Sequence, residues 1–168
     1  MNYIQAIEGY HRRRLNHPAM DEAVFAELRD AIIEPLTGKR RKLAKKALKY
    51  ANEPSLEMRL KDVAERLGPV GHAVTGAGRV TIQTFAQRAA EIRNIYAHNL
   101  TAQMPDIHEL ALYTEQLKTL MGSLLLSELG FDEQKIHRML VDTRQTELLR
   151  HMGSEARGRL AGRPDHER

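Results

Sequence analysis

Residues 91–100 read EIRNIYAHNL. They bring an arginine, an asparagine and a histidine, Arg93, Asn94 and His98, to the end of a stretch whose apolar residues keep helical time. Ile82, Phe85, Ala89, Ile92 and Tyr96 recur at i, i+3, i+7, i+10 and i+14, the inward stripe of an amphipathic helix. At about 100° per residue, Gln87, Glu91, Asn94 and His98 fall within roughly 60° of one another on the opposite face, while Arg93 lies about 140° around from His98. Asn94 and His98, four residues apart, can touch. These residue types suit cleavage of RNA without a metal. Such a reaction needs a base for the 2′-hydroxyl proton, an acid for the leaving 5′-oxygen, and cationic donors on the pentavalent phosphate. Histidine titrates near neutrality, and guanidinium grips phosphate through two parallel hydrogen bonds. One histidine does not easily act as acid and base in the same step. Two copies related by a twofold axis can divide the work.

The elements that must position this motif read as helices throughout. Residues 2–15 form a first, with Ile4, Ile7 and Leu15 facing inward, and 19–34 a second, with Val24, Leu28 and Ile32 in register. Pro18 and Pro35 punctuate them. A third, basic helix over 39–49 sets Leu36, Leu43, Ala47 and Tyr50 on the side away from its charges. Ser55 caps a fourth helix that runs to Leu67, and GPVGHAVTGAG (68–78) reads as a connecting loop. The motif helix spans 80–99. Asp106 with Glu109 forms a capping box for a long helix to Glu128, with Ile107, Leu110, Thr114, Leu117, Met121 and Leu124 as its stripe. Gly130 stops it, Asp132 caps a last helix to about His151, and the glycine-rich polar end is expected to be flexible. The expected organisation is therefore one helical domain over 1–152 and a tail over 153–168. No internal repeat stands out, and the chain is expected to be able to stand as one domain of a longer protein.

Composition narrows the class. The 168 residues contain no cysteine and no tryptophan, three phenylalanines and five tyrosines, so a core of leucine, alanine and methionine in an all-α fold is expected rather than an aromatic sheet core. Lack of cysteine removes disulfide frameworks and thiolate metal sites. No apolar run approaches the ~18 residues of a membrane span, and MNYIQAIEGYHRRR lacks the apolar centre of a signal peptide. A soluble, cytoplasmic protein with no membrane partner is expected.

The net charge of +4 is concentrated in HRRR (11–14) and in the 39–49 helix, where Lys39, Arg40, Arg41, Lys42, Lys45, Lys46 and Lys49 have no acid among them. Such a run is either a solvated face or a surface for a polyanion; release of counterions would reward phosphate contact. With no aromatics interleaved in the run itself, such contact is expected to be blind to sequence. Glu8 and His11 share a face of the first helix, where they form a surface ion pair or support the cleft, and Glu91 pairs with Arg88 or orients Arg93. His108-Glu109 opens like a zinc-binding HExxH but has Leu112 at the second histidine, and the glycines at 68, 71, 76 and 78 complete no phosphate-cradling pattern. No metal or cofactor is implied.

RNIYAH resembles the R-x4-6-H motif of the HEPN superfamily, including the polar residue directly after the arginine. The N-terminal IQAIEGYHRR resembles the ApeA-like branch, found in prokaryotic abortive-infection proteins. The resemblance implies an antiparallel helical bundle that forms a homodimer and acts as a metal-independent endoribonuclease in anti-phage defence. It assigns His98 the role of general acid and base, Arg93 that of phosphate stabiliser, and Asn94 that of orienting substrate or His98. RNA, with transfer RNA as one candidate, is the implied substrate, and a sensor domain or antitoxin the implied regulator. Superfamily toxins paired with nucleotidyltransferase antitoxins often carry a tyrosine two residues after the histidine; here Leu100 holds that place. The alternative is a non-catalytic dimerisation or RNA-binding module of the same fold. A module docking an antitoxin or sensor through its apolar helices is the third reading.

Overall fold

The structure is a computed structural model that describes residues 2–15, 17–76, 80–98 and 104–141. Its secondary structure among the described residues is all α: α1 (Asn2–Arg14), α2 (Glu22–Ile33), α3 (Gly38–Leu48), α4 (Leu56–Arg66), α5 (Gly68–Thr75), α6 (Ile82–Ala97), α7 (Ile107–Glu128) and α8 (Glu133–Val141). The expected extension of the last helix to His151 and the tail over 153–168 lie outside the described residues.

α4 is the hub, packing most extensively on α6 and α5 and also on α1 and α7. Its stripe of Leu60, Val63 and Ala64 meets Ile4 and Ile7 of α1, Val70 and Val74 of α5, Phe85 and Ala89 of α6, and Leu120 and Leu124 of α7 in one core. Phe85 stacks on Tyr113 with ring centroids 5.6 Å apart and planes 10° from parallel. Buried hydroxyls on α5 and α7 are satisfied within their own helices: Thr75 donates to the Gly71 carbonyl, Thr119 to Glu115 and Ser123 to Thr119. The caps work as the sequence implies. Ser55 Oγ accepts from the Met58 amide, Asp106 Oδ1 from those of His108 and Glu109, and Gly130 ends α7 at φ +85°.

Four expectations fail. Residues 68–75 are a helix, not a loop. Gly68 turns the chain at φ +52°, Pro69 opens the first turn, and Gly71 lets α5 lie against the Ala64 carbonyl of α4. The Gln116 side-chain amide, reaching from α7, donates to the Val74 and Thr75 carbonyls and so satisfies the end of α5.

On α2 the buried row is one residue away from the expected one. Ile33 is buried and Phe25, Ala26 and Arg29 are half-buried, whereas Leu28 is 47 % exposed and Val24 and Ile32 are exposed with it. On α3 the side toward α2 carries Ala44 and Leu48, while Leu43 is 69 % exposed and Ala47 and Tyr50 face solvent. Both helices offer two apolar rows, and their mutual packing selects between them.

At the start of α7, Ile107 is 71 % exposed, so its stripe begins a turn later, with Gln116, Thr119 and Leu120 buried in addition to Leu117 and Leu124. α2 and α3 pack mainly on each other. Asn52, in the linker before α4, fastens their base: its Oδ1 accepts from the Met20 amide, its Nδ2 donates to the Met20 carbonyl, and its own carbonyl accepts from Ala19.

Candidate active site at the end of the sixth helix

Thr81 starts α6 by accepting the Thr84 amide on its hydroxyl, and Ile82, Phe85, Ala86, Ala89, Ala90, Ile92 and Ile95 bury one side of the helix. The other side is exposed, with Gln87, Glu91, Asn94 and His98 all open to solvent as the spacing predicts. His98 follows the last helical residue; its amide donates to the Asn94 carbonyl at 3.0 Å, and among the described residues its imidazole makes no hydrogen bond. Arg93 is half-buried on the side of α6 that faces α1 and α7, and its Nη1 reaches around to donate to Asn94 Oδ1 at 3.3 Å. The asparagine thus links the arginine to the exposed face, and Arg93 and Asn94 are in direct contact. Beside Arg93 lies a mostly apolar cavity of about 200 Å³, lined by Ile4, Ile92, Tyr96, Tyr113 and Thr114 among others.

The supporting residues divide. Glu91 accepts from Arg88 at 3.1 Å and does not orient Arg93. Arg88 also grips Glu109 through two bonds of 2.7 and 2.9 Å, pinning the middle of α6 to the first turn of α7. Hydrogen bonding to Glu109 raises the Arg88 pKa, outweighing the burial that opposes it. Burial, with the charge of Glu109, pushes Tyr113 up to about 12.

His11 is fully buried, because it continues the inward row Ile4, Ile7, His11 of α1. Its Nε2 lies 2.9 Å from Asp62 Oδ2 and its Nδ1 3.4 Å from Arg59 Nη1. Since guanidinium only donates, Nδ1 is the acceptor and Nε2–H donates to Asp62. Arg59, 4 % exposed, also donates to the Pro54 carbonyl and to Glu53. His11 is therefore a core residue held by α4, and neither a surface pair with half-buried Glu8 nor an open cleft group. The buried Arg59–His11–Asp62 cluster was missed by sequence reading. Its one signal was the i, i+3, i+7 spacing that puts His11 in line with two isoleucines.

All seven cations over 39–49 are exposed. Arg41, Lys45 and Lys49 line a cavity shared with α2, and Lys39, Arg40, Lys42 and Lys46 do not. Among the described residues no three His, Asp or Glu side chains come together as a metal-ligand set, and no helix is long and apolar enough to cross a membrane.

The described residues form an all-α domain in which α6 ends on the half-buried Arg93, bonded to Asn94, and the exposed His98. The family model for Apea-like HEPN matches residues 1–135, through α7 and into α8, and the chain belongs to that family. Neither the comparison with curated proteins nor that with solved structures gave a match.

Proposed function

We propose that this protein is a metal-independent endoribonuclease of the HEPN type, whose active site forms where two copies bring their α6 ends together, and that it serves anti-phage defence. The observation that carries the reading is the exposed His98 imidazole, free of any partner among the described residues, one helical turn from the Arg93–Asn94 pair. HEPN domains are often ribonucleases, and membership in the family supports the assignment.

In one chain Arg93 projects toward α1 and α7 and His98 away from them, so a single copy does not direct both groups at one phosphate with ease. A twofold axis beside the exposed face would set His98 of each copy across the cleft from its mate. One imidazole then takes the 2′-hydroxyl proton as that oxygen attacks phosphorus. The other, protonated, delivers its proton to the departing 5′-oxygen, leaving a 2′,3′-cyclic phosphate and a 5′-hydroxyl. Arg93 stabilises the charge gathering on the phosphoryl oxygens, and Asn94 holds the guanidinium in place.

The purified chain incubated with end-labelled transfer RNA in EDTA tests this. New RNA ends are expected from the wild type and none from His98→Ala, with the helical circular dichroism and the sizing-column position the same for both. Cleavage by the mutant at the wild-type rate would overturn the assignment. The basic face of α3 favours a binding-only module as second reading; that reading predicts salt-sensitive RNA binding with no new ends from either protein. A sensor domain or antitoxin remains the proposed regulator.

A further inference from the structure

The facing sides of α2 and α3 enclose a cavity of about 710 Å³, and a second, of about 440 Å³, opens beside it beneath the linkers that flank the two helices. Phe25, Arg29 and Lys49 line both, so the two adjoin along one cleft. Its charges are not all free. Arg29 is held by Asp30 at 3.0 Å, and Glu53 is shared by Arg12 and Arg59. That leaves Arg41 and Lys45 with no partner among the described residues, and Lys49 with only the Tyr50 ring, 4.8 Å from its Nζ; Glu22 and Glu34 are the acids that remain.

Arg41, Lys45 and Lys49 follow one another every four residues, about 6 Å apart along the helix, a spacing on the scale of successive phosphates of an extended strand. Aromatic rings that the sequence scatters meet here: Phe25 half-buried in the wall, Tyr50 exposed at the rim, and His17 edge-on to His11 at 6.4 Å. A cation row beside open rings is the arrangement that tracks a backbone and stacks its bases.

We propose that the α2–α3 cleft is a binding site for single-stranded RNA, with phosphates on Arg41, Lys45 and Lys49 and a base against Tyr50. The choice of RNA rests on the nuclease reading; the preference for a single strand rests on the rings. It makes the contact more than the sequence-blind electrostatics expected of the helix alone.

The test is fluorescence anisotropy with a labelled oligouridylate and the full chain carrying His98→Ala, so that the probe survives. Lys45→Ala with Lys49→Ala is expected to weaken binding at least tenfold and to reduce the salt slope by about 1.4, the value for two phosphate contacts on a single strand. Lys39→Ala with Lys46→Ala, the same charge change at two positions that do not line the cleft, should cost less than threefold. Tyr50→Ala should cost about tenfold at every salt concentration, with Tyr50→Phe restoring it. Equal losses from the two lysine pairs, no effect of Tyr50→Ala, tighter binding of a duplex of the same length, or displacement by polyglutamate as effective as by RNA would each overturn the cleft. Cleavage by the wild-type chain is read separately. Cutting without cleft binding retires the cleft alone, and cleft binding without cutting retires the nuclease alone.

Discussion

Replacing Gly71 by alanine should loosen the α4–α5 contact on which the core depends. An ideal Cβ at this position would stand 1.9 Å from the Ala64 carbonyl oxygen and 2.8 Å from its carbon. Close carbon–oxygen contacts settle near about 3.3 Å, so the two helices must part by roughly 1.4 Å. The carbonyl belongs to the α4 backbone and the Cβ position is fixed by the α5 backbone, so no rotamer change relieves the conflict. A gap of even ~1 Å forfeits up to half of the dispersion attraction across it, and Leu60, Val63, Val70 and Val74 all pack in this region.

Overpacking of this kind costs ~1–3 kcal/mol or more, and a Cβ driven against a helix carbonyl belongs at the upper end. Alanine in a helix returns up to ~1 kcal/mol relative to glycine. The net loss is about 2 kcal/mol, which for a domain of this size lowers Tm by roughly 4–8 °C. Gly122, in the middle of α7, is the control. A Cβ there meets nothing within 4 Å, so Gly122→Ala should gain about 0.5–1 kcal/mol and raise Tm by a few degrees. Calorimetry on the two single variants decides. A Gly71→Ala protein that melts at or above the wild type would refute the account of how these helices pack.

Arg59→Ala leaves the Pro54 carbonyl and His11 Nδ1 without their donor in the interior, and a loss of about 3 kcal/mol is expected as a lower urea midpoint at unchanged slope; a loss below ~1 kcal/mol would mean that water replaces the guanidinium. Tyr113, pushed up to about 12 by burial and by Glu109, holds its proton after the unfolded chain has released its own. Its contribution is complete below pH ~10 and is lost as the pH rises toward the folded value, so Tyr113→Phe should flatten the alkaline fall in stability. Glu128 moves the other way: the Tyr10 hydroxyl, then Arg14, hold its carboxylate below the ordinary value. Its contribution is present above pH ~4.5 and fades as the pH falls through the lower folded value, so the Tm difference between wild type and Glu128→Gln should shrink on acidification.

Where a single side chain could declare a boundary, the sequence was enough. Ser55 and Asp106 carry their own acceptors to the orphan amides, Gly130 takes the left-handed turn, and the apolar row from Ile82 to Ile92 has no rival on its helix. α5 was illegible because its two glycines weaken a helix locally, and what holds it comes from distant atoms: the Ala64 carbonyl against Gly71 and the Gln116 amide on the last carbonyls. The rows of α2 and α3 were illegible for another reason. Val24, Leu28 and Ile32 are as apolar as the row that is used, and only the partner helix breaks the tie. At the candidate site, helical arithmetic placed Arg93 and His98 on different sides and set Glu91, Asn94 and His98 on an open face. It left Glu91 between pairing with Arg88 and orienting Arg93, of which the first is found, and it did not foresee that Arg93 would reach Asn94.

The division of labour along α6 bears on what the end of that helix is for. Arg88, Glu91 and Glu109 fasten the helix, and the residues that bury its inner face hold it in the core. Asn94 and His98 do neither. Among the described residues Asn94 offers its side chain only to Arg93, and the His98 bond to the helix comes from its backbone amide, which alanine would keep. His98→Ala should therefore change folding stability by no more than ~0.5 kcal/mol, as for other exposed substitutions. A group that contributes so little to its own fold, exposed beside a guanidinium on the same helix, is free to act on something outside it. If thermal melts showed His98→Ala to cost several degrees, the imidazole would have a structural role and abolished cleavage would no longer identify a catalyst. If the melts coincide and cleavage is lost, stability has been separated from chemistry, and the histidine belongs to the reaction.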